Sequence, residues 1–71
     1  MVNNEALGRI INASGYKKGF VAQQMGVSAS TFSNKLAGRT RWTADECSFL
    51  REFFGIPTDE ATAIFFADEV I

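Results

Sequence analysis

The sequence predicts an all-helical domain, and three observations lead there. Apolar residues recur at helical spacing in short bursts: Leu7, Ile10 and Ile11, then Val21, Ala22 and Met25, then Phe32 and Leu36, then Cys47, Leu50 and Phe54. A glycine follows each burst (Gly15, Gly26, Gly38, Gly55), where a helix most often ends on a left-handed residue. Short polar residues that cap helix N-termini precede most of them.

Asn3 or Asn4 can cap the first helix, with Glu5 in the first turn favoured by the helix dipole. A second stripe begins at Phe20 and stops at Gly26 after about two turns. Ser28 is a good cap for a third helix over 29–37, which Gly38 closes. Arg39 to Trp42 reads as a polar loop. Thr43-Ala44-Asp45-Glu46 is a capping box: the Thr43 hydroxyl takes an amide of the first turn, and Glu46 reaches back to the cap amide. Trp42 and Cys47 stand at the two staple positions around it. Gly55 ends this fourth helix, Ile56 can pack back on Leu50, and Pro57 prevents continuation. Thr58 can cap a fifth. The run Ile64-Phe65-Phe66 is compatible with the end of that helix or with a short extended tail, since periodicity cannot assign so brief a run.

The 71 residues, 46% of them apolar, suit one domain over 1–71 and not two. Without histidine and with a single cysteine, zinc sites, an intramolecular disulfide and histidine-dependent catalysis are excluded. No metal-ligand cluster, phosphate-binding glycine loop or nucleophile–base pair is present, so the expectation is a protein that is not an enzyme, with no catalytic residue, metal or cofactor. No run approaches the ~20 apolar residues of a membrane span. No leader is expected, because residues 1–5 lack a basic and an apolar region. These features imply a cytoplasmic protein without membrane or small-molecule partners.

Charge is split along the chain. Residues 1–41 hold Arg9, Lys17, Lys18, Lys35, Arg39 and Arg41 against Glu5, a net of +5. Residues 42–71 hold Arg51 against seven acids, a net of −6. Such asymmetry suits a basic face for a polyanion, although two solvated patches of opposite sign are the simpler reading.

Phe20 to Leu36 reads as a unit of short helix, tight turn and second helix. Ala22 is small enough for two helices to cross closely, Gly26 can take positive φ, and Val27 and Phe32 fill the angle between them. This is helix-turn-helix geometry, whose second helix can enter a major groove. Val21-Ala22-Gln23-Gln24-Met25-Gly26-Val27-Ser28, followed by Thr31-Phe32-Ser33-Asn34-Lys35-Leu36 and Gly38, resembles the phage Cro and repressor proteins and the larger group of Xre-type regulators. The resemblance extends over about residues 4–60 through Arg39 to Trp42, Asp45-Glu46 and Phe54-Gly55-Ile56. It implies a lambda-repressor-like bundle of about five short helices and a small regulator of transcription in a bacterial host cell.

Carried onto this chain, the resemblance implies base contacts from Ser28, Ala29, Ser30, Ser33 and Asn34, and phosphate contacts from Lys17, Lys18, Lys35, Arg39, Thr40 and Arg41 on double-stranded DNA. Ala29 and Ser30 depart from the pattern, because neither can pair in bidentate fashion with guanine. Three readings follow: base specificity is low, or it rests on Asn34, DNA shape and dimer spacing, or this copy of the fold has shifted toward binding protein. The chain also has seven Phe and one Trp. Phe20, Phe32 and Phe54 fall on inner faces. Phe49, Phe53, Phe65 and Phe66 are the surplus and suggest a homodimer, formed through the fourth helix and the tail at 64–71. The alternative to an operator-binding regulator is an antirepressor that uses this fold to bind a phage repressor, with its acidic half and surplus aromatics as the contact.

Overall fold

In the computed structural model, which describes residues 2–67, five helices follow in chain order: α1 (Asn4–Ser14), α2 (Lys18–Met25), α3 (Ala29–Leu36), α4 (Ala44–Phe53) and α5 (Thr58–Phe65). No strand occurs among the described residues. The fold is therefore all-α.

The helix ends follow the local chemistry. Asn3 caps α1 by accepting the Ala6 amide at 3.1 Å. Ser28 caps α3 through the Thr31 amide at 3.1 Å. At α4 both halves of the capping box form, Thr43 Oγ1 accepting from the Glu46 amide and Glu46 Oε1 from the Thr43 amide. α2, α3 and α4 each close with the same pair of backbone bonds: after α4, the Gly55 amide donates to the Glu52 carbonyl and the Ile56 amide to that of Arg51. The glycine in each closure takes positive φ, +76° at Gly26 and +63° at Gly55. Ile56 is buried in the same core cluster as Leu50.

Two helix starts differ from the sequence reading. α2 begins at Lys18, two residues before Phe20, because its first turn is exposed and carries no apolar periodicity; the Val21 amide already bonds to the Lys17 carbonyl. At α5 the cap position falls on Pro57, and Thr58 is the first helical residue. Its hydroxyl accepts from Arg51 Nη2 at 2.7 Å instead of closing the helix.

Leu7 and Ile11 of α1, Val21 and Ala22 of α2, Phe32 of α3, Leu50 of α4 and Ala61, Ile64 and Phe65 of α5 form one core with Ile56. α2 packs on α3, and α1 packs on both α3 and α5. The Asn3 amide donates to the Ile64 carbonyl at 2.7 Å, tying the start of the chain to α5. Among the described residues no buried side chain is polar or charged.

The apolar run near the C-terminus resolves as helix. Ala61, Ile64 and Phe65 lie at i, i+3 and i+4, so they share the inward face of α5. Phe65 is 6% exposed, which corrects its expected place on a dimer surface. Phe66, next along the chain, is 52% exposed. The remainder of the expected tail, 68–71, lies outside the described residues.

Candidate nucleic-acid interface

α2 and α3 are eight-residue helices joined by Gly26, Val27 and Ser28. Ala22 is 1% exposed, and Phe32 is completely buried. A larger side chain at Ala22 would push α2 away from the neighbours that cover it. With Phe32 and half-buried Leu36 directed inward, α3 presents Ala29, Ser30 and Ser33 to solvent. Among the described residues no hydrogen bond uses the Ser30 or Ser33 hydroxyl, so both can serve a ligand.

The other two expected base readers are engaged. Ser28 Oγ accepts the Thr31 amide and donates to Thr31 Oγ1 at 2.9 Å, so its hydroxyl is committed to capping. Asn34 is half-buried, and its Oδ1 accepts from Arg39 Nη1 at 3.2 Å. The amide thereby positions an arginine while keeping its own two N–H donors.

Lys17, Lys18, Arg39, Thr40 and Arg41 are exposed. Lys17 sits at the cap position of α2, and no side chain closes that helix start. The orphan amides and the positive end of the dipole are accordingly open to an anion. After α3 in the chain, the Arg39–Arg41 loop is anchored from within. The Arg39 amide donates to the Asn34 carbonyl at 2.9 Å, and Lys35 Nζ donates to the Arg41 carbonyl at 2.7 Å.

Lys35 is a correction to the phosphate set. Its Nζ pairs with Glu46 Oε1 at 3.0 Å, with the two side chains only 12% and 16% exposed, and lies 6.0 Å from the Trp42 ring centroid. The ammonium joins the end of α3 to the start of α4 and holds the loop between them. Burial pushes the Glu46 carboxyl up, but the Thr43 amide and the Lys35 ammonium together outweigh it and hold Glu46 below the ordinary carboxylate value.

Trp42 braces the same loop. Its ring meets Phe32 edge-on at 5.6 Å, and Nε1 donates to Asn4 Oδ1 at 2.8 Å. Cys47, at the other staple position, is half-buried against the core. Burial, and after it the Glu46 charge, raise its thiol pKa, consistent with a packing residue rather than a reactive thiol.

A patch of aromatic rings lies apart from these contacts. Phe49 and Phe53 stack at 5.3 Å, and Tyr16 joins Phe53 at 5.2 Å and Phe20 at 5.3 Å. Tyr16 is 48% exposed and Phe20 41%. The outward position of Phe20 corrects its expected inner face. Apolar periodicity does not single out Tyr16; the available signal is a ring four residues before Phe20, leading into a helix.

Compared with models of protein families, with curated proteins and with solved structures, the chain matches none of them.

Proposed function

We propose that this chain is a transcriptional regulator of the phage Cro and repressor type, which binds operator DNA through α3 as a homodimer in the cytoplasm of a bacterial host. The observation that supports it best is the setting of α3. Ala29, Ser30 and Ser33 form an exposed stripe of small side chains on α3; Lys17 and Lys18 are exposed at the uncapped start of α2, the helix packed on it, and Arg39 and Arg41 are exposed in the anchored loop that follows it in the chain. Small side chains let the helix backbone approach base edges closely, and the cations before and after α3 in the chain can meet the phosphates of a groove. Ala29 offers a methyl to thymine, and Ser30 and Ser33 offer hydroxyls to base edges or phosphate. Arg39 and Arg41 meet the backbone, Arg39 being oriented by Asn34.

The expected behaviour is salt-dependent binding of modest sequence preference. Removing a cation that neutralises one phosphate should flatten the slope of log K against log salt by about one unit. Fluorescence anisotropy with a mixed-sequence duplex at several salt concentrations measures that slope. Arg39→Ala with Arg41→Ala should flatten it by about two. Unchanged affinity in the double variant would remove the loop from the interface, and absent binding at low salt would remove the DNA reading.

A second reading is an antirepressor that binds a phage repressor protein. The exposed rings of Tyr16 and Phe20 beside Phe49 and Phe53 favour it, since an aromatic patch is common at the centre of protein interfaces. Co-purification of a repressor in the absence of duplex binding would select it.

A further inference from the structure

A cleft of about 730 Å³ opens between the loop after α3 and helices α4 and α5. Trp42, Cys47 and Phe65 give it an apolar lining, and Arg39, Arg41 and Arg51 line it too. Among the described residues no carboxylate lines it, although the chain as a whole is net negative. Glu46, adjacent to Cys47 in sequence, is occupied by Lys35 and the Thr43 amide. None of the three arginines takes part in an ion pair among the described residues. Arg39 and Arg51 do donate hydrogen bonds, but to the neutral oxygens of Asn34 and Thr58, which leave both charges in place.

The volume lies within the roughly 300–1,000 Å³ usual for small-molecule sites. Guanidinium groups match a carboxylate in geometry as well as in sign. We infer that this cleft binds a small amphiphilic anion: an organic carboxylate whose apolar body, a ring system or medium-length acyl chain, rests against Trp42 and the exposed ring of Phe66 while its head is held by Arg51 with Arg39 or Arg41. A neutral apolar molecule would leave the arginines unused, and a simple inorganic anion would leave the apolar lining unused. The site requires both halves of the ligand; it shares Arg39 and Arg41 with the proposed phosphate contacts, while Arg51, Trp42 and Cys47 belong to the cleft alone.

The chain reports on its own cleft, because Trp42 is its only tryptophan and Cys47 its only cysteine. The full chain is titrated with octanoate, with its neutral analogue octanamide and with acetate, following Trp42 fluorescence and the rate of Cys47 alkylation by iodoacetamide. Octanoate should change the fluorescence saturably and slow alkylation. Octanamide should bind about tenfold more weakly, as expected for removal of one charge-assisted hydrogen bond, and acetate should do neither. Arg51→Gln should weaken octanoate about tenfold and leave octanamide unchanged. Ser48→Glu, at an exposed position lining the cleft and one turn before Arg51, sets a fixed carboxylate against that guanidinium and should have the same effect while keeping the arginine in place. Circular dichroism verifies the fold of each variant. Equal binding of octanoate and octanamide, octanoate binding unmoved in the folded variants, or no saturable response would overturn the inference.

Discussion

Gly26 holds φ at +76° at the end of α2, whereas Gly8 lies within α1. At both positions an added Cβ would meet nothing within 4 Å, so backbone conformation alone decides the effect of substitution. Gly26→Ala must force an L-residue into the left-handed region and should destabilise the fold by about 1–2 kcal/mol. Gly8→Ala removes unfolded-chain entropy from a helix interior and should stabilise it by about 0.5–1 kcal/mol. Urea denaturation of the two variants measures the difference, and the same sign for both would refute the backbone account. Ser28 and Lys35 show where single residues are not legible in the sequence. A serine at this position reads equally as a cap and as a base contact, and the cap consumes its hydroxyl. Lys35 looks like any solvated lysine until the chain, eleven residues on, brings Glu46 back to it.

The tie between α3 and α4 depends on ionised Glu46, which gives it a predictable pH dependence. Glu46 holds its charge to lower pH in the folded chain than at its ordinary value of 4.5. Its contribution to stability is therefore complete above that value and disappears as pH falls through the lower folded one. Glu46→Gln should cost about 1–2 kcal/mol at neutral pH, between the values for exposed and buried pairs, and progressively less in acid. Urea midpoints of both proteins from pH 7 down to pH 3 test this; a constant difference would mean that the carboxyl acts only as a cap. At the scale of elements, the sequence is most legible where local chemistry is complete. The Thr43 capping box and the glycine closures after α2 and α4 depend on neighbours within one turn, and they stand where the spacing predicts. The start of α2 is less legible because its first turn is exposed and leaves no periodic trace. The end of α5 is ambiguous because Ile64 and Phe65 are both buried, and a continuous apolar run has no period.

At the scale of the whole molecule, the described residues, 33 × 23 × 19 Å in extent, carry an aromatic patch for self-association besides the stripe proposed to face DNA. The sequence implies surplus aromatics but not their arrangement, because which rings meet depends on how α4 sits beside the segment leading into α2. Phe65 goes to the core, while Tyr16 and Phe20 come to the surface against Phe53. Exposed stacked rings present apolar area to water that a second copy would cover, and a two-fold pair of these patches would be self-complementary. A dimer that reads two half-sites would hold its two α3 helices one helical turn, about 34 Å, apart. Sedimentation equilibrium should therefore find a dimer, with a dissociation constant that rises at least tenfold, about 1.4 kcal/mol, in the Tyr16→Ser, Phe20→Ser double variant. Both positions are exposed, so the variant should keep its helices and its cooperative unfolding. On the proposed reading, loss of the dimer should also weaken duplex binding while leaving the salt slope per protomer unchanged, because the proposed phosphate contacts all lie within one protomer. A double variant that dimerises as tightly as the parent would place the two-fold contact elsewhere. A parent that stays monomeric at high micromolar concentration would remove the dimer and leave the aromatic patch for a protein partner.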